Sequence, residues 1–238
     1  MNIKPNTNDI KKYKYIIILA MFYTITFISP ILLAYRQVQL GPLFLPGGTV
    51  VFASSFIFGD IVSEIYGYQV ARLMVVFAII AQAILALSVI IVIHLPTPPN
   101  WHNNSDYLLV FGHVMRYSIA SLLGNLLGEF ANIMLISKWR VTLQGKLFWM
   151  RSIASSAIGE LILTATVFFI TFFDITPGKS VFYLILYGYT YKIIMSIIVS
   201  LPANIFVNYL KLQFGDSPII GLNYNPFSEE SYKKHNHL

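Results

Sequence analysis

The chain has 238 residues, a formal net charge of +6 and no cysteine, with 56% hydrophobic and only 11% charged residues. Soluble domains carry about a quarter charged residues, and at a mean hydropathy of +0.67 too few polar side chains are available to coat a soluble core. The surplus must face lipid. Disulfides and thiolate metal sites are excluded. The positive charge sits in short segments between apolar runs, which reads as a membrane-orientation signal and not as a nucleic-acid patch.

A helix needs ~20 apolar residues to cross the hydrocarbon core. In chain order the candidates are Tyr15 to Tyr35, Gly47 to Gly67, Leu73 to Leu95, Tyr107 to Ile136, Leu147 to Phe173 and Val181 to Leu212. The first has no clean cleavage site after it and reads as a retained helix. The third is uncharged. The last three exceed the minimum, so tilts or kinks are expected, with Pro202 as a kink that deletes one helical hydrogen bond. The predicted fold class is all-α, an integral membrane bundle of six transmembrane helices. Residues 15–212 form one membrane domain, preceded by a cytoplasmic segment 1–14 and followed by a polar cytoplasmic tail 213–238.

Lys and Arg set the orientation. Lys4, Lys11, Lys12, Lys14, Arg72, Lys138, Arg140, Lys146, Arg151, Lys211, Lys233 and Lys234 fall on one side, and Arg36 and Lys179 on the other. The positive-inside rule then places both termini in the cytoplasm. The connection Pro96 to Asp106 has no Lys or Arg and is expected outside.

Ionisable residues at mid-bilayer cost ~2.5–3.5 kcal/mol each on insertion scales and mark function by default. Asp60, Glu64, Glu129, Glu160 and Lys192 are such residues, and they need partners, a wet cavity or protons. Asp60 and Glu64 are four apart and share a helix face. Asn125, Glu129 and Asn132 form a second stripe. Ser152, Ser156, Glu160 and Thr164 form a third, and Lys192, Ser196, Ser200 and Asn204 a fourth. Stripes on the second, fourth, fifth and sixth helices are expected to converge on a cavity, with the first and third as lipid-facing walls. Arg72 is a candidate partner for Asp60 or Glu64. Arg116 lies inside a span, and Arg151 is an interfacial anchor or a partner for an acid. Gly59-Asp60, Gly128-Glu129 and Gly159-Glu160 each put a glycine before an acid, which favours close helix packing at that depth.

His94, His102 and His113 lack ligand spacing, and no metal or other cofactor is expected. No phosphate-binding loop or hydrolytic motif is present, so an enzyme is the weaker class.

The run Phe58-Gly59-Asp60-Ile61-Val62-Ser63-Glu64-Ile65-Tyr66-Gly67-Tyr68, followed by Ala71-Arg72, resembles the signature of the bacterial queuosine-precursor transporter family, also known as vitamin-uptake-transporter-like. Gly128-Glu129-Phe130-Ala131-Asn132 with Lys138, then Gly145-Lys146, Trp149, Arg151-Ser152, Gly159-Glu160, and Lys192 with Ser196 and Pro202 fit its later blocks. The resemblance implies a fold similar to the substrate-binding components of energy-coupling-factor transporters. It also implies uptake of 7-deazaguanine precursors, 7-cyano-7-deazaguanine or 7-aminomethyl-7-deazaguanine, in a bacterial inner membrane. One departure stands out: where members commonly carry Asp-Thr or Asp-Ser, this chain has Leu163-Thr164.

The residues suit that ligand. A guanine-like edge offers two N–H donors that a carboxylate such as Glu129 or Glu160 accepts in bidentate fashion, and Asn125 or Asn132 can donate to the ring carbonyl. The expected partners are therefore a small deazapurine, the lipid bilayer and a coupling proton, with no nucleic acid. The competing readings are a binding subunit driven by a separate ATPase module, for which Ala20 and Thr24 are a poor docking stripe, and a non-transporting sensor or scaffold.

Overall fold

Apolar runs in lipid become helices because a helix satisfies its own backbone polar groups where no water can. In the computed structural model, which describes residues 7–172 and 177–215, six stretches are long and apolar enough to cross a membrane: Ile10–Leu33, Gly47–Tyr66, Tyr68–Ile93, Asn104–Thr142, Phe148–Phe172 and Gly178–Phe214. The six-helix, all-α expectation is met. Lys4, Phe173, Lys233, Lys234 and nearly all of the expected tail lie outside the described residues.

The first stretch is α1 (Thr7–Ile28) continued by the single turn α2 (Pro30–Leu33). It begins within the expected N-terminal segment, so Lys11, Lys12 and Lys14 are helical. A feature not foreseen follows, the hairpin β1 (Gln37–Leu40) and β2 (Leu43–Pro46), in register Val38 with Leu45 and Leu40 with Leu43. Its two-residue loop, Gly41-Pro42, turns at a Gly41 φ of 60°, the left-handed conformation that such short hairpin loops need.

The second stretch is not one continuous helix. It is α3 (Gly47–Phe52) and α4 (Ser55–Tyr66), interrupted at Ala53-Ser54. The Ser54 hydroxyl donates to the Val51 carbonyl at 2.8 Å, and its amide bonds the same carbonyl in a tighter turn. Irregular backbone at this depth is tolerated where protein surrounds it, and ten of the twelve residues of α4 are buried. Gly67, at φ 88°, turns the chain directly into α5 (Tyr68–Ile93).

The fourth stretch is also divided. The exposed α6 (Asn104–Phe111) and the long α7 (Val114–Thr142) are separated at Gly112-His113. Next come α8 (Phe148–Phe172) and α9 (Gly178–Phe214), the latter unbroken through the exposed Pro202. α7 and α8 pair as a hairpin, and α4 lies at the centre against α1, α5, α7, α8 and α9.

The starts of α1, α5 and α8 and the ends of α4, α7 and α9 share one end of the bundle. Tyr66 donates to the Lys12 carbonyl at 2.8 Å, and Tyr15 rings meet Phe206 and Phe214. That end holds Lys11, Lys12, Lys14, Arg72, Lys138, Arg140, Lys146, Arg151 and Lys211. Arg36, Arg116 and Lys179 belong to the other.

Candidate functional site

The approach of α7 to α8 sets the site. A Cβ on Gly128 would lie 2.6 Å from the Gly159 carbonyl oxygen, and one on Gly159 would lie 2.7 Å from that of Gly128. The two glycines therefore let the backbones touch, and Glu129 and Glu160, which follow them, are drawn into the same layer. Gly59 differs, since a Cβ there meets nothing closer than 3.8 Å. The reading of all three Gly-acid pairs as packing devices holds for two of them.

All eight candidate binding residues, Asp60, Glu64, Asn125, Glu129, Asn132, Glu160, Thr164 and Lys192, are at most 2% exposed. They form a ladder along α7. From Ser121 to Arg140 that helix rises about 28 Å at 1.5 Å per residue, close to the thickness of a hydrocarbon core.

At one end Asn125 donates to Gln82 on α5 at 2.8 Å and to Ser121 at 3.2 Å. A turn further on, Glu129 receives, among the described residues, a single long bond from Ser55, 3.4 Å. Beside it Lys192 on α9 pairs with Glu160 at 2.5 Å, donates to Thr164 at 3.1 Å and lies 4.8 Å above the Phe52 ring. Asp60 comes next and collects three donors: Asn132 at 2.8 Å, Ser152 at 2.5 Å and Ser156 at 3.3 Å. Ser63 and Ser137 bridge α4 to α7 at 2.7 Å.

At the basic end Glu64 is held by Arg151 at 3.0 Å, Arg140 at 3.5 Å and Lys211 at 2.6 Å. One carboxylate on α4 thus ties the ends of α7, α8 and α9. Arg151 is 1% exposed and also donates to the carbonyls of Lys146, Ile136 and Gly145. These bonds pin the α7–α8 connection, where Gln144 and Leu147 adopt φ of 50° and 54°. Arg151 is therefore a buried partner for an acid, the second of the two roles expected for it. Arg72 is half-buried at the start of α5. Arg116 donates to the Ile170 carbonyl at 2.9 Å, joining α7 to α8. Pro202 lies on the exposed face of α9.

The α9 stripe stops at Lys192. Ser196 and Asn204 are half-buried, and Ser200 returns its hydroxyl to the Ile197 carbonyl. In contrast, the α8 stripe is committed, with Ser152 and Ser156 on Asp60 and Thr164 on Lys192. The first and third helices are not plain walls. α1 inserts Tyr23 and α5 inserts Gln82, both fully buried. Gln82 was missed because one polar residue in a strongly apolar run makes no stripe; that isolation was the available signal.

A small cavity opens at the Asn125 end, lined by Gly48, Thr49 and Phe52 of α3, Tyr117, Ser121 and Asn125 of α7, Leu163, Val167 and Phe168 of α8, and Lys192. Its volume is about 20 Å³, enough for a water and too little for a bicyclic base. The bundle is closed around this point. Leu163 contributes an apolar wall there, 4% exposed.

Residues 46–207 match the family described as "Putative vitamin uptake transporter". The chain belongs to that family. It is thus a multi-pass membrane transporter with a small-molecule substrate. It is also 24% identical to the "Queuosine precursor transporter" of Escherichia coli (strain K12) over 220 residues, covering 91% of this chain and 96% of that one. No solved structure matches.

Proposed function

We propose that this transporter carries a 7-deazaguanine precursor of queuosine, 7-cyano- or 7-aminomethyl-7-deazaguanine, inward across a bacterial inner membrane, with both chain ends in the cytoplasm. The observation that carries the reading is the cavity where Asn125 and Lys192 meet the rings of Phe52, Tyr117 and Phe168. An amide and an ammonium suit the polar edge of a flat heterobicycle, and the rings suit its faces. The name of the Escherichia coli relative supports the substrate class. The nine basic residues at the Glu64 end support the orientation.

In this reading the substrate enters from the Asn125 end once α3 and α9 part from α7 and α8. The interruption at Ala53-Ser54 is the natural hinge, because discontinuous helices commonly flank the binding site of transporters. The Glu64 cluster closes the cytoplasmic end. The route is secondary or facilitated, and one of the acids takes up a proton during the cycle. Uptake of labelled 7-cyano-7-deazaguanine and 7-aminomethyl-7-deazaguanine into proteoliposomes tests it. Entry of either, lost in Lys192→Met, is expected; no entry of either contradicts it.

A second reading is a binding subunit driven by a separate ATPase module. It is favoured by a shallow outward hollow on α1 lined by Ile17, Ala20, Met21, Thr24 and Ile25. Co-purification of a partner membrane protein from native membranes, with flux only in its presence, separates the two.

A further inference from the structure

The four acids of the ladder are not equivalent. Glu64 has three cations. Glu160 has Lys192. Asp60 has three hydrogen-bond donors, enough to satisfy a carboxylate without a cation. Glu129 has one long bond from Ser55 to Oε1, and Oε2 completes no hydrogen bond among the described residues. It is 0% exposed. The Tyr23 hydroxyl from α1 acts on this carboxyl, yet it too completes no hydrogen bond there.

The charged and titratable groups acting on Glu129 are Glu160 of α8, Asp60 of α4, Lys192 of α9 and Tyr23 of α1. Two of these are acids. The one cation among them is already paired with Glu160. A carboxylate in that setting would lie buried between two others with no donor on one oxygen, an arrangement that costs several kcal/mol. A neutral carboxyl removes the charge and supplies the O–H that Tyr23 can accept.

We infer that Glu129 is a proton-binding site, holding a proton on Oε2 toward the Tyr23 hydroxyl, and that it is the acid that exchanges this proton during transport. The first half rests on the complete burial of Glu129 and on its unmatched Oε2. The second rests on the transport reading above and names the group that reading leaves open. Opening of the cavity one turn away, at Asn125, would admit water to Glu129 and let the proton leave. Tyr23, fully buried, links that event to α1.

The test uses the full-length protein in nanodiscs and needs no substrate. The infrared C=O stretch of a protonated carboxyl is recorded at neutral pH for wild type, Glu129→Gln, Tyr23→Phe and Asp60→Asn. The band should be present in wild type, absent in Glu129→Gln, shifted in Tyr23→Phe and retained in Asp60→Asn. Absence of the band in wild type, or its persistence in Glu129→Gln, overturns the assignment. If Glu129→Gln fails to insert, Glu129→Asp and Tyr23→Phe carry the test, and an unchanged band in both overturns it. A second arm follows substrate-driven proton entry into proteoliposomes with a trapped pH dye. Proton entry in wild type that is lost in Glu129→Gln is expected; equal entry in both overturns the exchange role. Absence of substrate uptake with an intact infrared result contradicts the transport reading and leaves the proton site standing.

Discussion

Gly128 and Gly159 touch backbone to backbone across α7 and α8, each so close to the other's carbonyl oxygen that a Cβ would lie inside 2.8 Å. Neither backbone can retreat without displacing Glu129 or Glu160. Gly128→Ala and Gly159→Ala should each destabilise by about 1–3 kcal/mol, the usual cost of overpacking. Gly59→Ala, with no contact closer than 3.8 Å, should be near neutral. Thermal unfolding in detergent checks all three, and equal losses would contradict the account of the crossing.

The Glu160–Lys192 pair joins α8 to α9, and Lys192 also lines the cavity. Removing one partner from a buried pair costs about 3–5 kcal/mol, whereas replacing both with apolar residues is often neutral. Glu160→Met and Lys192→Met should each lower the melting temperature. The double variant should recover much of that stability but no uptake, because Lys192 is also the proposed binding group. Recovery of uptake in the double variant would make the pair purely structural.

Glu64 is the acid that neutralises part of the buried basic cluster at the ends of α7, α8 and α9. Glu64→Gln keeps the shape and removes the charge, leaving Arg151 buried without its anion. A loss of about 3–5 kcal/mol is expected, with faster proteolysis of the α7–α8 connection that Arg151 holds. Limited proteolysis with mass spectrometry checks the second part.

Gln82 acts on the cavity through Asn125. Gln82→Leu removes the acceptor 2.8 Å from the Asn125 amide and leaves a buried donor under-satisfied, worth about 1–3 kcal/mol. The expected effect is weaker substrate binding with little change in maximal rate, since Asn125 is disordered but not removed. Gln82→Glu keeps an acceptor and should rescue binding in part. Unchanged binding in Gln82→Leu would show that the amide pair is only packing.

Much of this was legible in the chain because charge in lipid is costly. Asp60, Glu64, Glu129, Glu160 and Lys192 stand out in apolar runs, and their helical spacing already put Asn125, Asn132 and Thr164 beside them. Which acid took which partner was not legible. Arg151 lies 87 residues from Glu64 in sequence, and only the depth at which α8 starts beside α4 brings them together. The breaks at Ala53-Ser54 and Gly112-His113 were hidden too, because hydropathy averages over a whole span and a local turn leaves it unchanged. The hairpin at Gln37–Pro46 is four residues a side, too short to separate from a loop by alternation. Tyr23 and Gln82 have only apolar residues four positions either side, Leu19 and Phe27, Ala78 and Ala86, so no periodic signal marked them.

The central claim is import of a deazapurine, and the most direct measurement is complementation. The protein is expressed in bacteria that neither make nor import queuosine precursors, each precursor is supplied, and queuosine in tRNA is measured by mass spectrometry. The account predicts queuosine with at least one precursor, and its loss with Lys192→Met. No queuosine with any precursor, from protein shown to be in the membrane, would contradict it.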